Sequence, residues 1–199
     1  MSRGAARKAV IARVALGVFL ERGFAAATMD DVAEAAGASK QTLYRFFGDR
    51  DGLVRHVLEV ELESLIEPLV AASDGAGGAA ERLERLALAY QDMISSPVAV
   101  TLYRYVLGAV PGDPSLGIAL TEVVTDRIVA LVAPLVADVA GLGPESTVDS
   151  PGADAADALA DAFLGAVQGK EFNRALAGYP ARPDRLAALR ASAMLIARG

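Results

Sequence analysis

The 199-residue sequence has no cysteine and no tryptophan, and its only histidine is His56. Without cysteine there is no disulfide framework, thiolate zinc site, iron–sulfur cluster or cysteine nucleophile, and the composition suits a reducing compartment. One imidazole excludes a His-Glu-x-x-His metal motif, Leu53 stands where a Glu-x-x-His pair would need glutamate, and no Gly-x-Ser-x-Gly elbow or phosphate loop is present. Aromatic residues are scarce at 6% against 53% apolar residues, much of these alanine, leucine and valine. Because β-branched and aromatic residues lead strand propensity, that mix favours helix. Long apolar runs are missing too: the longest is Ile128 to Ala137, interrupted by Pro134 and bounded by Arg127 and Asp138, against about 20 residues needed to span a bilayer. Arg13 breaks the N-terminal apolar segment, and Glu21 and Arg22 fall where a signal cleavage region should be uncharged. The expectation is a cytoplasmic chain with no membrane partner, no catalytic residue, no metal site and no cofactor.

What is present is an uneven distribution of charge. The whole chain carries −6, yet residues 1–56 hold nine Lys or Arg against six acids, for +3, and the remainder holds ten bases against nineteen acids, for −9. A modestly basic end on an acidic body is the pattern of a polyanion-binding module joined to a domain that avoids polyanions.

Helical periodicity runs through most of the chain. Ile11, Ala15, Val18 and Phe19 lie on one face of a helix over 5–22, which Gly23 ends. Thr28 is an N-cap with Asp31 three residues on, predicting a short helix over 29–36 that stops at Gly37. Ser39 caps a third over 40–45, and Asp49 a long fourth reaching about 72. Beyond the loop at 73–78, breaks at 95–97, 111–114, 141–152 and 178–180 predict helices near 79–95, 97–109, 114–140, 153–177 and 182–198. No strand is predicted, so the fold class is all-α with about nine helices.

The segment 28–50 carries the functional signal. Two short helices nest closely only if the first is small at the crossing and the turn residue tolerates positive φ, demands met by Ala33 and Gly37. Leu43 is placed to turn back onto the first helix, with Val32, Ala36 and Phe47 completing a small core. This is helix-turn-helix spacing, and it leaves Lys40, Gln41, Thr42, Tyr44 and Arg45 to face base edges and phosphates. An ordinary helical hairpin with a solvated face meets the same spacing.

The run from Phe19 to Phe24, followed by the run from Thr28 through Gly37, Ser39, Leu43, Tyr44 and Phe47 to Leu53, closely resembles the N-terminal DNA-binding domain of the TetR family of bacterial transcriptional regulators. The resemblance covers about fifty residues. It implies an all-helical homodimer, usually a repressor, that binds a palindromic double-stranded DNA operator and releases it when a small-molecule effector enters the C-terminal domain. It also implies a DNA-binding domain over 1–64, with a connecting helix from near 49, and a ligand-binding and dimerisation domain over 65–199. By the same resemblance Thr28, Ser39, Thr42, Tyr44 and Arg50 contact the DNA backbone or bases, and Lys40 and Gln41 read operator sequence. Arg50 stands where the family usually has lysine, and Phe46 where it usually has histidine or tyrosine. Arg3, Arg7 and Lys8 form either a phosphate-reaching arm or a solvated tail.

In the C-terminal half, Tyr90, Met93, Tyr103, Leu107, Phe163 and Gln168 combine apolar bulk with polar handles, as effector pockets do. The stretches from Tyr90 to Met93, Leu102 to Tyr105 and Phe163 to Leu176 resemble the AefR-like branch of the family. Ala155, Leu159, Phe163 and Ala166 lie on an apolar face, with Gly165 and Gly169 allowing close approach; the resemblance implies a dimer interface there. An intramolecular bundle uses such a face equally well.

Overall fold

The computed structural model describes residues 3–112, 117–118, 120–142 and 151–179. The helix expected over 182–198 and the start of the one expected at 114 lie outside the described residues. Among the described residues all regular structure is helical: α1 (Arg3–Arg22), α2 (Met29–Ala35), α3 (Lys40–Phe47), α4 (Arg50–Asp74), α5 (Ala79–Ser95), α6 (Pro97–Ala109), a π-helical turn (Thr121–Asp126), α7 (Arg127–Val139) and α8 (Pro151–Leu176). The chain divides into two compact units, Met1–Leu62 and Glu63–Gly199, with α4 contributing residues to both.

In the first unit the amphipathic stripe of α1 buries Ile11, Ala15, Val18 and Phe19 as the periodicity predicts, and Phe24 stacks on Phe19 with ring centroids 4.9 Å apart. Arg3 to Lys8 belong to α1 rather than to an extended arm. α2 packs on α1 and α3 on α2, burying Met29, Val32 and Ala33 from α2 and Leu43 and Phe47 from α3. The turn between them is a Schellman motif: Ala38 N–H donates to Ala33 O at 3.0 Å and Gly37 N–H to Glu34 O at 3.2 Å. That closure needs Gly37 at φ 53, a left-handed conformation that costs a residue with a Cβ about 1–2 kcal/mol. Asp49 Oδ1 accepts from Gly52 N–H at 2.7 Å and so caps α4 as its position predicts.

In the second unit α5 is central, packing against α6, α7 and α8, while α7 packs on α8. Ser96 ends α5 and caps α6, its hydroxyl accepting from Ala99 N–H at 3.1 Å, with Pro97 in the first turn. The single helix expected over 114–140 is interrupted by the π-helical turn. α8 also departs from expectation. Gly169, at φ 52 and ψ −155, breaks the helix. No other atom lies within 4 Å of where a Cβ on Gly165 would sit.

Candidate nucleic-acid interface

The α2–turn–α3 motif is held at both ends by caps that the local sequence specifies. Thr28 forms a full capping box: its hydroxyl accepts from Asp31 N–H at 3.2 Å, while the Asp31 carboxylate accepts from Thr28 N–H at 2.8 Å and from its hydroxyl at 2.7 Å. Arg22 also pairs with Asp31. The bond from Thr28 N–H, then that from its hydroxyl, then the Arg22 charge hold the Asp31 carboxyl below its ordinary value of 3.8. The folded state therefore favours the ionised form, so the box stabilises fully above that value and loses its contribution as pH falls through the lowered one. We expect the melting-temperature gap between wild type and Asp31→Ala to narrow steadily as pH drops below 3.8, followed by circular dichroism. A gap that stays constant there would show that the carboxylate is not a partner.

Ser39 caps α3, its Oγ accepting from Thr42 N–H at 3.2 Å and lying 2.9 Å from Thr42 Oγ1. Leu43 and Phe47 point inward, Thr42 and Phe46 are half-buried, and Lys40, Gln41, Arg45 and Tyr44 are exposed, Tyr44 at 51%. The Arg45 guanidinium lies 5.0 Å from the Phe46 ring centroid, a cation–π pairing. Lys40 Nζ lies 2.6 Å from Asp30 Oδ1.

Arg50 does not point outward with these residues. Its Nε donates to Ala27 O at 3.0 Å, its second terminal nitrogen donates to Phe24 O, and the third faces Asp51 at 3.3 Å. It fastens the α1–α2 loop that presents Thr28, where the resemblance implied a phosphate contact. Arg7 is likewise a clamp, donating to Ala36 O at 3.2 Å and Gly37 O at 3.0 Å across the helix-turn-helix corner. The carbonyls at the end of α2 need such donors, and a donor twenty-nine residues away leaves no local sequence signal.

The residues expected to form an effector pocket separate. Tyr90, Met93 and Tyr103 meet around a cavity of about 30 Å³, with Val124 and Thr125 of the π-helical turn and Phe172 of α8. Gln168 joins them by accepting from the Tyr90 hydroxyl at 3.3 Å. Burial pushes both tyrosine hydroxyls up from their ordinary value of 10, so they are neutral donors at physiological pH. Leu107 is 54% exposed and lines no part of this cavity. Phe163 points instead into a separate, half-open apolar groove of about 490 Å³ lined by Leu83, Val136, Val139, Leu159 and Ala162. Of the expected interface face, Ala155, Leu159 and Ala166 are exposed while Phe163 is buried. Gln91, almost fully buried, donates from Nε2 to Val167 O at 3.5 Å, two residues before the α8 break. Among the described residues no group of three or more metal-ligating side chains occurs, and no helix is long and apolar enough to cross a membrane.

Residues 11–57 match the model of bacterial regulatory proteins of the tetR family, and residues 81–195 match the C-terminal domain of AefR-like transcriptional repressors. The chain belongs to the TetR family. As a TetR-family protein it is a DNA-binding transcriptional regulator, and its α2–turn–α3 motif falls within the DNA-binding match. It is 48% identical over 48 residues to the HTH-type transcriptional regulator NfxB of Pseudomonas aeruginosa, a match covering 24% of this chain and 25% of that protein. It is 34% identical over 77 residues to the HTH-type transcriptional activator FasR of Mycolicibacterium smegmatis, covering 39% of this chain and 35% of that one. The matches thus span only about a quarter to a third of these curated relatives. A TetR-family regulator structure from Mesorhizobium loti superposes with TM-score 0.78 at 21% identity, covering 99% of this chain and 96% of that one. The flavonoid-responsive regulator FrrA superposes with TM-score 0.68 at 24% identity, covering 96% and 94%. These two likenesses show the fold.

Proposed function

We propose that this TetR-family regulator is a homodimeric repressor that reads a palindromic operator through α3 and releases it when a small apolar or amphipathic molecule occupies the second unit. The observation that carries the reading is the division of α3, with Leu43 and Phe47 buried and Lys40, Gln41, Tyr44 and Arg45 turned outward together. Thr28, Ser39 and Thr42 stand beside them on the caps. One such module buries about 600–1,000 Å² on DNA and binds weakly alone, which favours a dimer reading two half-sites about 34–36 Å apart. The exposed Ala155, Leu159 and Ala166 supply an apolar face for the second copy.

The effector class follows from the second unit's apolar groove and its pair of neutral phenols, and the structurally similar FrrA is a flavonoid-responsive regulator. α4 carries the signal because its residues belong to both units. Coupling free energies are typically about 1–3 kcal/mol, or roughly 5- to 150-fold in operator affinity. Repression is favoured over activation because the AefR-like repressor match covers residues 81–195, whereas FasR, an activator, matches only 77 residues.

Selection of bound duplexes from random DNA tests the reading. The expected product is a palindrome with half-site centres about one helical turn apart, and that site placed over a promoter should silence a reporter. An enriched motif without two-fold repetition would overturn the dimer; a reporter that rises would overturn repression.

A further inference from the structure

The first turn of α2 carries two adjacent carboxylates with different duties. Asp31 is consumed by the capping box and Arg22, while Asp30, also in the first turn, shares with it the favourable interaction of negative charge with the helix N-terminus. Asp30 takes no part in the box. Its carboxylate reaches across the motif to Lys40, the first residue of α3, at 2.6 Å, with both side chains 61% exposed. A negative charge on the face expected to meet phosphate disfavours DNA binding, and here it is held against a cation of that same face.

We propose that Asp30 is a specificity-determining residue: it occupies Lys40 in the unbound protein, so that the lysine adds little to binding on DNA that offers only phosphates. On a duplex without the operator, a phosphate must displace a carboxylate already in place, and the exchange gains little. On the operator, base-edge acceptors hold α3 in register and the displacement is repaid by the remaining contacts. Asp30 thus lowers non-specific affinity more than specific affinity and widens the ratio on which operator selection depends. The inference rests on α3 being the helix that enters the groove.

The test uses the full-length protein, a fluorescently labelled 30-base-pair duplex of scrambled sequence, and anisotropy measured from low to physiological salt. Asp30→Asn, Lys40→Gln and the double variant are compared with wild type. Asp30→Asn should tighten scrambled-duplex binding about two- to fivefold at low salt, the range expected of an exposed ion pair, and steepen the slope of log K against log salt by about 0.9, one added phosphate contact. In the Lys40→Gln background the same substitution should change neither quantity. An equal gain in both backgrounds would show that Asp30 acts only through net charge, and no gain in either would show that it does not restrain Lys40; each overturns the proposal. If wild type and variants all show no salt-dependent binding to duplex DNA, the assignment of α3 fails and takes the proposal with it. If Asp30→Asn gains while Tyr44→Ala leaves scrambled-duplex binding unchanged, the charge effect is real but α3 does not lie against the DNA, and the specificity role of Asp30 falls with that assignment.

Discussion

Replacing Gln41 and Tyr44 together by alanine should abolish the discrete operator complex in a gel-shift titration while leaving the helical circular dichroism signal and the melting temperature unchanged. Both side chains are exposed on α3, so their removal opens no cavity and strands no buried partner. Glutamine is suited to a bidentate contact with adenine, and each such contact discriminates by about 1–3 kcal/mol. A dimer uses it twice, so the loss from Gln41 alone is about 2–6 kcal/mol, or about 30-fold upward in operator affinity. Tyr44 is exposed on α3 and, by the family resemblance, is expected to meet the DNA backbone, so its loss should weaken operator and scrambled DNA alike. The two single variants therefore separate: Gln41→Ala lowers the specificity ratio, and Tyr44→Ala lowers both affinities with the ratio preserved. Arg50 is unsuitable for this experiment because its guanidinium holds Phe24 O and Ala27 O. An Arg50 variant would lose binding by loosening the loop that carries Thr28, whatever the residue does at DNA. Retention of the operator complex by the Gln41 and Tyr44 double variant would remove α3 from the interface.

The elements of the first unit were legible because their signals are local. Thr28 with Asp31, Ser39, Gly37 and Asp49 each act within four residues of themselves, and each cap or stop falls where the sequence places it. The burial of Leu43 and Phe47 was expected from the small core they share with Val32, although α3 runs on to Phe47 rather than ending at 45. The duties of Arg7 and Arg50 were hidden, since their carbonyl partners lie 29–30 and 23–26 residues away, and an arginine that fastens a turn has the same local surroundings as one that grips a phosphate. In the second unit the sequence is apolar on more than one side of its helices. Periodicity then identifies a buried stripe without saying what it faces, which is why Phe163 and Leu107 were grouped with Tyr90 and Tyr103 although neither borders their cavity. The π-helical turn and the α8 break at Gly169 are departures from regular coil. Both occur inside stretches that a 3.6-residue period describes as continuous.

Leu43→Ala should lower the melting temperature of the first unit by roughly 10–20 °C and remove DNA binding with it. Its side chain is fully buried, and with Phe47 it is all that α3 places in the core. An eight-residue helix is far too short to persist alone in water, so α3 exists as a helix because those two side chains dock and because Ser39 and the Schellman turn close its N-terminal side. Truncating a buried leucine costs about 2–5 kcal/mol, part of it from the cavity left behind, and in a domain of 60–100 residues each kcal/mol shifts the midpoint by about 4–8 °C. The comparison variant is Leu107→Ala, which removes the same atoms from an exposed position on α6 and should leave the midpoint within about 2 °C, as surface substitutions do. Scanning calorimetry with far-ultraviolet circular dichroism follows the two. If Leu43→Ala melts with wild type, α3 is not anchored by this residue, and the outward presentation of Lys40, Gln41 and Tyr44 would have to arise from some other packing of the motif.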